Sequence, residues 1–316
     1  MAFAFVFPGQ GSQSVGMMAA YMEAADDAAL VRDTFEEASR ALGEDLWSMV
    51  DSGTAEQLAQ TVNTQPIMLT ADVAVWRLWR KRSGSLPAVM AGHSLGEYAA
   101  LVAADVISFA DAVPLVRLRA AAMQAAVPLE TGMMAAIMGL DAEAIAAACA
   151  ESAQGEVVEA VNFNAQGQIV IAGHRAAVER AMGACKAKGA KRALPLSVSA
   201  PFHSSLMRPA AEKLADALSG ISLRPPAIPV INNVDVADER DPERIREALI
   251  RQVYGPVRWV EVIHRMASLG ARSIVECGPG KVLAGLAKRC SSEVSGVALD
   301  SAGALEAYFN LEREAL

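Results

Sequence analysis

Short apolar runs separated by longer amphipathic stretches set the rhythm of this chain. Phe3–Phe7 (FAFVF) holds no polar residue and reads as a buried strand. Helical periodicity follows over Val15–Ala25 and Asp26–Leu42. Thr54 caps a short helix carrying Glu56 and Leu58. Pro66 marks a helix start, and Ile67–Arg82 keeps the helical pattern, ending in WRKRSGSLP, a basic end and a turn. Ala88–Ala91 (AVMA) is short enough for a buried strand and runs into GHSLGEYAALVAA, which becomes helical. Ser108-Phe-Ala-Asp111 is a capping-box-like start for a helix to about Ala126, which Pro114 should kink.

Residues 133–196 carry the clearest composite pattern. A strand at Met133–Met138 precedes a helix, Asp141–Ala153, capped by Asp141. Then come a strand at Val157–Asn162, a turn at 164–167 and a strand at Gln168–Ala172. A helix, His174–Lys188, and a strand, Lys191–Leu196, close the unit. The order β-α-β-β-α-β is that of a ferredoxin-like module, placed as an insertion in a larger α/β unit. The expected domains are 1–127 with 199–316, and 128–198. Beyond it the pattern predicts helices at Ser205–Ser219, Pro242–Tyr254 and Val260–Leu269. Strands are predicted at Ile228–Asn232 and Ser273–Glu276, and Gly278-Pro-Gly280 opens a last helix.

Composition narrows the class. Apolar residues make up 53% of the 316 and aromatics only 5%, so small aliphatic side chains must build the core, as in helices packed on a sheet. The net charge of −8 argues against nucleic acid as a bulk partner. The four cysteines form no CxxC pair and are expected to be reduced, mostly buried thiols. Met1–Phe7 lacks the basic segment and length of a secretory signal, and no apolar stretch reaches membrane-spanning length. A cytoplasmic monomer with no membrane association is expected.

FVFPGQGSQ at 5–13 looks at first like a phosphate loop, but position 14 is Ser where G-x-G-x-x-G needs Gly, and no Walker lysine follows. Gly92-His93-Ser94-Leu95-Gly96 is the stronger signal. It matches G-x-S-x-G between a strand and a helix, the context of a nucleophile elbow. A serine needs a base, and the chain has only four histidines. His93 adjoins Ser94 at a tight turn and is badly placed. His174 starts a helix, and His264 lies mid-helix among apolar residues. His203, in the irregular SAPFHSS, is the best candidate, against the alternative of an ordinary loop histidine. No acid between Asp105 and Glu179 stands in an obvious strand-end loop, so a Ser-His dyad oriented by a carbonyl group is open. Arg119 shares a stripe with Ala112, Val116 and Met123. On a mostly apolar face it needs a substrate carboxylate or a salt bridge as partner, or it snorkels from the stripe's edge.

Taken together, FPGQGSQ, GHSLGEYAAL, NFNAQGQIVIAG (162–173), APFHSSLM, RQVYGPVRW (251–259) and GPGKVL (278–283) resemble the malonyl-CoA:acyl carrier protein transacylases across essentially the whole chain. The resemblance implies an α/β-hydrolase-like core with a parallel sheet plus the ferredoxin-like insertion. It implies Ser94 as nucleophile, His203 as base, and the Gln252 carbonyl group orienting His203. Gln10 and the Leu95 N–H would form the oxyanion hole. Arg119 would bind the malonyl carboxylate, with His93, Asn162, Gln168 and Phe202 completing the substrate-binding set. The reactants would be malonyl-CoA and acyl carrier protein, with no cofactor and no metal. Phe202 resembles the malonyl-type rather than the methylmalonyl-type motif. A polyketide or malonate decarboxylase system, or a serine thioesterase or esterase, are the alternatives. Lys186, Lys188, Lys191 and Arg192, or Lys281, Lys288 and Arg289, are candidate carrier-docking clusters against the plain reading of solvated helix ends.

Overall fold

The computed structural model describes residues 2–82, 85–198 and 200–314. The turn expected at 83–84 and the domain boundary at 199 lie outside the described residues. In chain order the first elements are β1 (Phe3–Phe7), α1 (Ala25–Leu42), α2 (Leu46–Ser52), α3 (Ala55–Ala59) and α4 (Thr61–Arg82). Next come β2 (Val89–Gly92), α5 (Gly96–Ala103) and α6 (Phe109–Gln124). A second group follows: β3 (Gly132–Met138), α7 (Ala142–Ala153), β4 (Val158–Ala165), β5 (Gln168–His174), α8 (Arg175–Ala187) and β6 (Arg192–Pro195). The chain then returns through α9 (Arg208–Ser219), β7 (Val230–Ile231), α10 (Pro242–Gln252) and α11 (Trp259–Ser268). It closes with β8 (Ser273–Glu276), α12 (Val282–Cys290), β9 (Ser295–Ala298) and α13 (Ala302–Glu314).

Two sheets result. The larger is parallel, in the order β7-β2-β1-β8-β9. Its central strand is buried on both faces. Phe3, Phe5 and Phe7 pack with Leu78 and Trp79 in one core, while Ala4 and Val6 pack with Trp259 and Ile263 in the other. The smaller sheet is antiparallel, in the order β4-β5-β3-β6. Ala135, Ile137, Ile169 and Ile171 on one face meet α7 and α8 through Ile145, Ala148 and Val178. Met134, Val161, Val170 and Ala172, on the other face, join the core of the large unit. Backbone bonds also sew the units together: Val257 N–H donates to the Val161 carbonyl (2.8 Å) and Phe163 N–H to the Val257 carbonyl (2.9 Å).

Several expectations change. Val15–Ala25 is not a helix; Gly16 takes φ 74° and only a 3-10 turn at Ala19–Tyr21 forms. α4 starts at Thr61 rather than Pro66, because Thr61, Thr64 and Gln65 are buried polar residues that hide the periodicity. α6 contains Pro114 and ends at Gln124 rather than about Ala126. α2, capped by Asp45, was not visible in the pattern. The helix after Gly278-Pro-Gly280 is not the last element: β9 adds a fifth parallel strand and α13 follows. All four cysteines are buried and unpaired, as expected.

Candidate active site

β2 ends at Gly92 and α5 begins at Gly96, so Ser94 sits on the sharp turn between them with φ 53°, in the left-handed region. Such a conformation costs a non-glycine residue about 1–3 kcal/mol and persists only where the surroundings enforce it. Here they do. A Cβ on Gly92 would lie 1.8 Å from the Gly96 carbonyl carbon, and one on Gly96 2.0 Å from the Phe7 carbonyl oxygen. Only two glycines let β2, α5 and β1 approach this closely. Asn233, just after β7, clasps the turn: its Oδ1 accepts from Ser94 N–H (2.7 Å) and its Nδ2 donates to the Gly92 carbonyl (2.7 Å).

His203 approaches from the segment after β6. It too has a left-handed backbone, φ 65°. Ser204 Oγ donates to the Pro201 carbonyl (2.6 Å), and Glu159 on β4 accepts from both Ser205 N–H and Ser205 Oγ at 2.7 Å. These bonds hold the loop. His203 Nε2 stands 2.7 Å from Ser94 Oγ, and Nδ1 stands 2.9 Å from the Gln252 main-chain carbonyl. A carbonyl only accepts, so Nδ1 carries the hydrogen and Nε2 keeps its lone pair for the serine proton. Burial, reinforced by the nearby Arg119, pushes His203 down to about 3, so the imidazole is neutral and ready to accept.

Arg119 lies on α6 with 2% of its surface exposed. Nη1 donates to Gln65 Oε1 (2.7 Å), and Nη2 donates to Gln252 Oε1 (2.9 Å) and Ser94 Oγ (3.3 Å). The guanidinium carbon stands 5.4 Å from the centre of the Tyr98 ring. Every acceptor here is neutral. Burial holds the guanidinium below its ordinary pKa, yet an arginine stays charged in proteins, so this is a desolvated cation poised for an anion.

Gln10 Oε1 accepts from Thr61 Oγ1 (3.1 Å), which accepts from Gln65 Nε2 (3.0 Å). That leaves Gln10 Nε2 as a donor. Ser94 N–H is committed to Asn233, whereas among the described residues no acceptor takes the Leu95 N–H. Gln10, Leu95, Ser94, His203, Arg119, His93, Asn162 and Phe202 all line one cavity of about 160 Å³. His93 is held by Asn164 Oδ1 (2.7 Å) and edge-on to Trp259, and burial keeps it neutral. Gln168 does not line this cavity. Val170, paired with Asn162, does; Gln168 lies further along β5, at the hairpin end, and accepts from Arg289 Nη1 (2.6 Å). The two basic clusters meet there: Lys191, Arg192 and Arg289 line one hollow with Gly139 and Gly167, while Lys188 pairs with Glu151.

Sequence reasoning did not single out Thr61, Gln65, Glu97, Asn164 or Asn233. Thr61 and Gln65, four apart at the start of α4 and so on one helix face, were the available signal. Glu97 directly follows the elbow motif, upstream of Asp105.

Residues 4–304 match the family described as the acyl transferase domain. The chain is 57% identical over 305 residues to the malonyl CoA-acyl carrier protein transacylase of Salmonella typhimurium, covering 96% of this chain and 98% of that protein. Among solved structures it is similar to an acyl carrier protein S-malonyltransferase from Vibrio cholerae, with 56% identity, TM-score 0.94, and coverage of 98% and 100%. It is also similar to a malonyl-transacylase solved with its type II polyketide acyl carrier protein, with 52% identity, TM-score 0.96, and coverage of 98% and 100%.

Proposed function

The chain belongs to the acyl transferase domain family, and from that premise we propose that it moves malonyl from malonyl-CoA to the phosphopantetheine thiol of an acyl carrier protein. The observation that carries this reading is a desolvated arginine bonded to the nucleophile itself, Arg119 Nη2 at 3.3 Å from Ser94 Oγ. A simple esterase has no use for it.

In the first half-reaction Ser94 Oγ attacks the thioester carbonyl as His203 Nε2 takes its proton. The oxyanion rests on Leu95 N–H and Gln10 Nε2, donors of a kind worth about 3–4 kcal/mol each. The C–S bond breaks, His203 returns the proton to the sulfur, and coenzyme A leaves malonyl-Ser94. The carrier thiol then enters. His203 takes its proton, sulfur attacks the ester carbonyl, and the proton goes back to Ser94 Oγ. The Gln252 carbonyl holds His203 in the required tautomer throughout. Arg119 pairs with the malonyl carboxylate in a fork; an acetyl group would leave it buried without an anion. His93, Asn162 and Phe202 shape the cavity. No cofactor or metal takes part.

The parallel-sheet unit, 1–127 with 199–316, is read as an α/β-hydrolase-like core and 128–198 as a ferredoxin-like insertion. The small-sheet order and βαββαβ connectivity support the latter. The hollow of Lys191, Arg192 and Arg289 supports docking of an acidic carrier at the domain junction. We assign the protein to the cytoplasm, as a monomer supplying extender units to fatty acid synthesis. Likeness to a transacylase solved with a polyketide carrier favours polyketide synthesis as the second reading.

Intact mass after mixing with malonyl-CoA tests the chemistry. The wild type should gain one malonyl group, Ser94→Ala none, and Arg119→Ala should lose its preference for malonyl over acetyl. An adduct that survives Ser94→Ala would sink the mechanism.

A further inference from the structure

Glu97 carries a buried carboxyl group that none of these steps uses. It sits on the first turn of α5, its N–H donating to the Ser94 carbonyl (3.2 Å), and is 2% exposed. One oxygen, Oε2, accepts two hydrogen bonds: Asn233 N–H at 2.9 Å and Gln252 Nε2 at 2.9 Å. Each donor belongs to a residue that holds a different part of the site. Asn233 clasps the elbow through Ser94 N–H and the Gly92 carbonyl. Gln252 orients His203 with its main-chain carbonyl and meets Arg119 with its side-chain oxygen.

The Gln252 amide has two ends of opposite character. Its Nε2 donates to Glu97 and to the Ser94 carbonyl (2.9 Å), which directs Oε1 at Arg119. Turned by half a rotation, it would present N–H to a guanidinium, donor against donor, and would lose both acceptors. A carboxylate, which only accepts, fixes the orientation.

We propose that Glu97 is a positioning residue for acyl selection: by locking the Gln252 amide it sets the direction of the Arg119 guanidinium and hence the preference for malonyl. It touches no substrate atom. This rests on the malonyl reading of the site. The charged and titratable groups around Glu97 are Arg119 from α6, Asp235 after β7, and its neighbour Tyr98. Burial pushes Glu97 up to about 7, while Gln252, Asn233 and Arg119 pull the other way. The selecting, ionised form therefore exists above about pH 7 and is lost as pH falls. A protonated Glu97 is a weaker acceptor at Oε2 and holds the Gln252 amide less firmly.

The test is the ratio of malonyl to acetyl loading rates on Ser94, read by intact mass. Glu97→Gln keeps the shape and removes the charge. We expect the ratio to fall at least tenfold in the wild-type background and no further in an Arg119→Ala background. An unchanged ratio in Glu97→Gln, or losses that multiply in the double variant, overturns the proposal. If Glu97→Gln shows no cooperative melting, the wild type decides: a ratio that drops between about pH 8 and pH 6 supports it, and a flat ratio overturns it. Failure of the wild type to take any malonyl group would instead count against the function itself.

Discussion

Every residue of β1 and β2 in the parallel sheet is buried, whereas β3 and β4 of the antiparallel sheet mix buried with half-buried positions. The chemistry follows the same division. Ser94, His203, Arg119, Gln252, Gln10 and Leu95 all come from the parallel-sheet unit, and the antiparallel unit supplies cavity wall through Met134, Asn162, Asn164 and Val170. The reason is mechanical. A strand packed on both faces cannot shift, so the turn at its end can hold a strained serine in one place. A sheet with one looser face can form the wall of a cleft that, on the proposed reading, admits a thioester first and a carrier thiol second.

Gly92→Ala strikes the rigid unit hardest. The new Cβ would meet Gly96 main-chain atoms, and no flexible side chain is there to yield. The elbow must open, and a displacement of about 1 Å at a reacting centre costs roughly 100-fold or more. Malonyl loading should fall at least that far. A variant loading within tenfold of wild type would show that the elbow can relax, and the contrast between the units would lose its basis.

This division also governs what the chain reveals as a sequence. The elbow is legible because one strand, two glycines and a helix start are contiguous between Ala88 and Gly96. His203 follows because only four histidines compete. The βαββαβ unit is legible because neighbours in sequence are mostly neighbours in space. What stays hidden is non-local. Gln65 bonds to Arg119 across 54 residues, Glu97 to Asn233 across 136 and to Gln252 across 155, and no periodicity records such pairings. Gln168 misleads for the same reason. It shares a motif with Asn162, yet it lies two residues along β5 from Val170, past the cavity at the hairpin end beside Arg289. β9 is missed because Ser295–Ala298 becomes a strand through its pairing with β8, which no local pattern records.

Rigidity has a cost within the large unit, and Asp72 measures it. It lies on α4, fully buried, and neither carboxyl oxygen has a hydrogen-bond partner among the described residues. Burial, and secondarily Glu276, hold its pKa well above the ordinary carboxylate value. A raised folded pKa means that its contribution to stability is complete below the unfolded value and is lost as pH rises through the folded one. Asparagine does not titrate. Asp72→Asn should therefore melt above the wild type at about pH 8, by about 1–3 kcal/mol of stability, with the gap closing toward about pH 4. A gap that widens on acidification would reverse the sign and identify Asp72 as ionised and stabilising in the fold.

The smallest effect belongs to the antiparallel unit and completes the contrast. Gly183 lies on the exposed face of α8, with ordinary helical φ and nothing within 4 Å of the position a Cβ would take. Unlike Gly92, it is a glycine that the fold does not require, and a helix interior favours alanine by ~0.5–1 kcal/mol. Gly183→Ala should raise the melting temperature by roughly 1–3 °C if the two units unfold together. The backbone bonds at Val257 and the shared core at Met134 and Val170 argue that they do. If amide exchange slows in α8 while the melting temperature stays fixed, the small unit opens on its own. The wall of the cleft would then be the part that moves to let coenzyme A leave and the carrier thiol enter. A lower melting temperature would mean that α8 carries a constraint at Gly183 which neither its exposure nor its backbone explains.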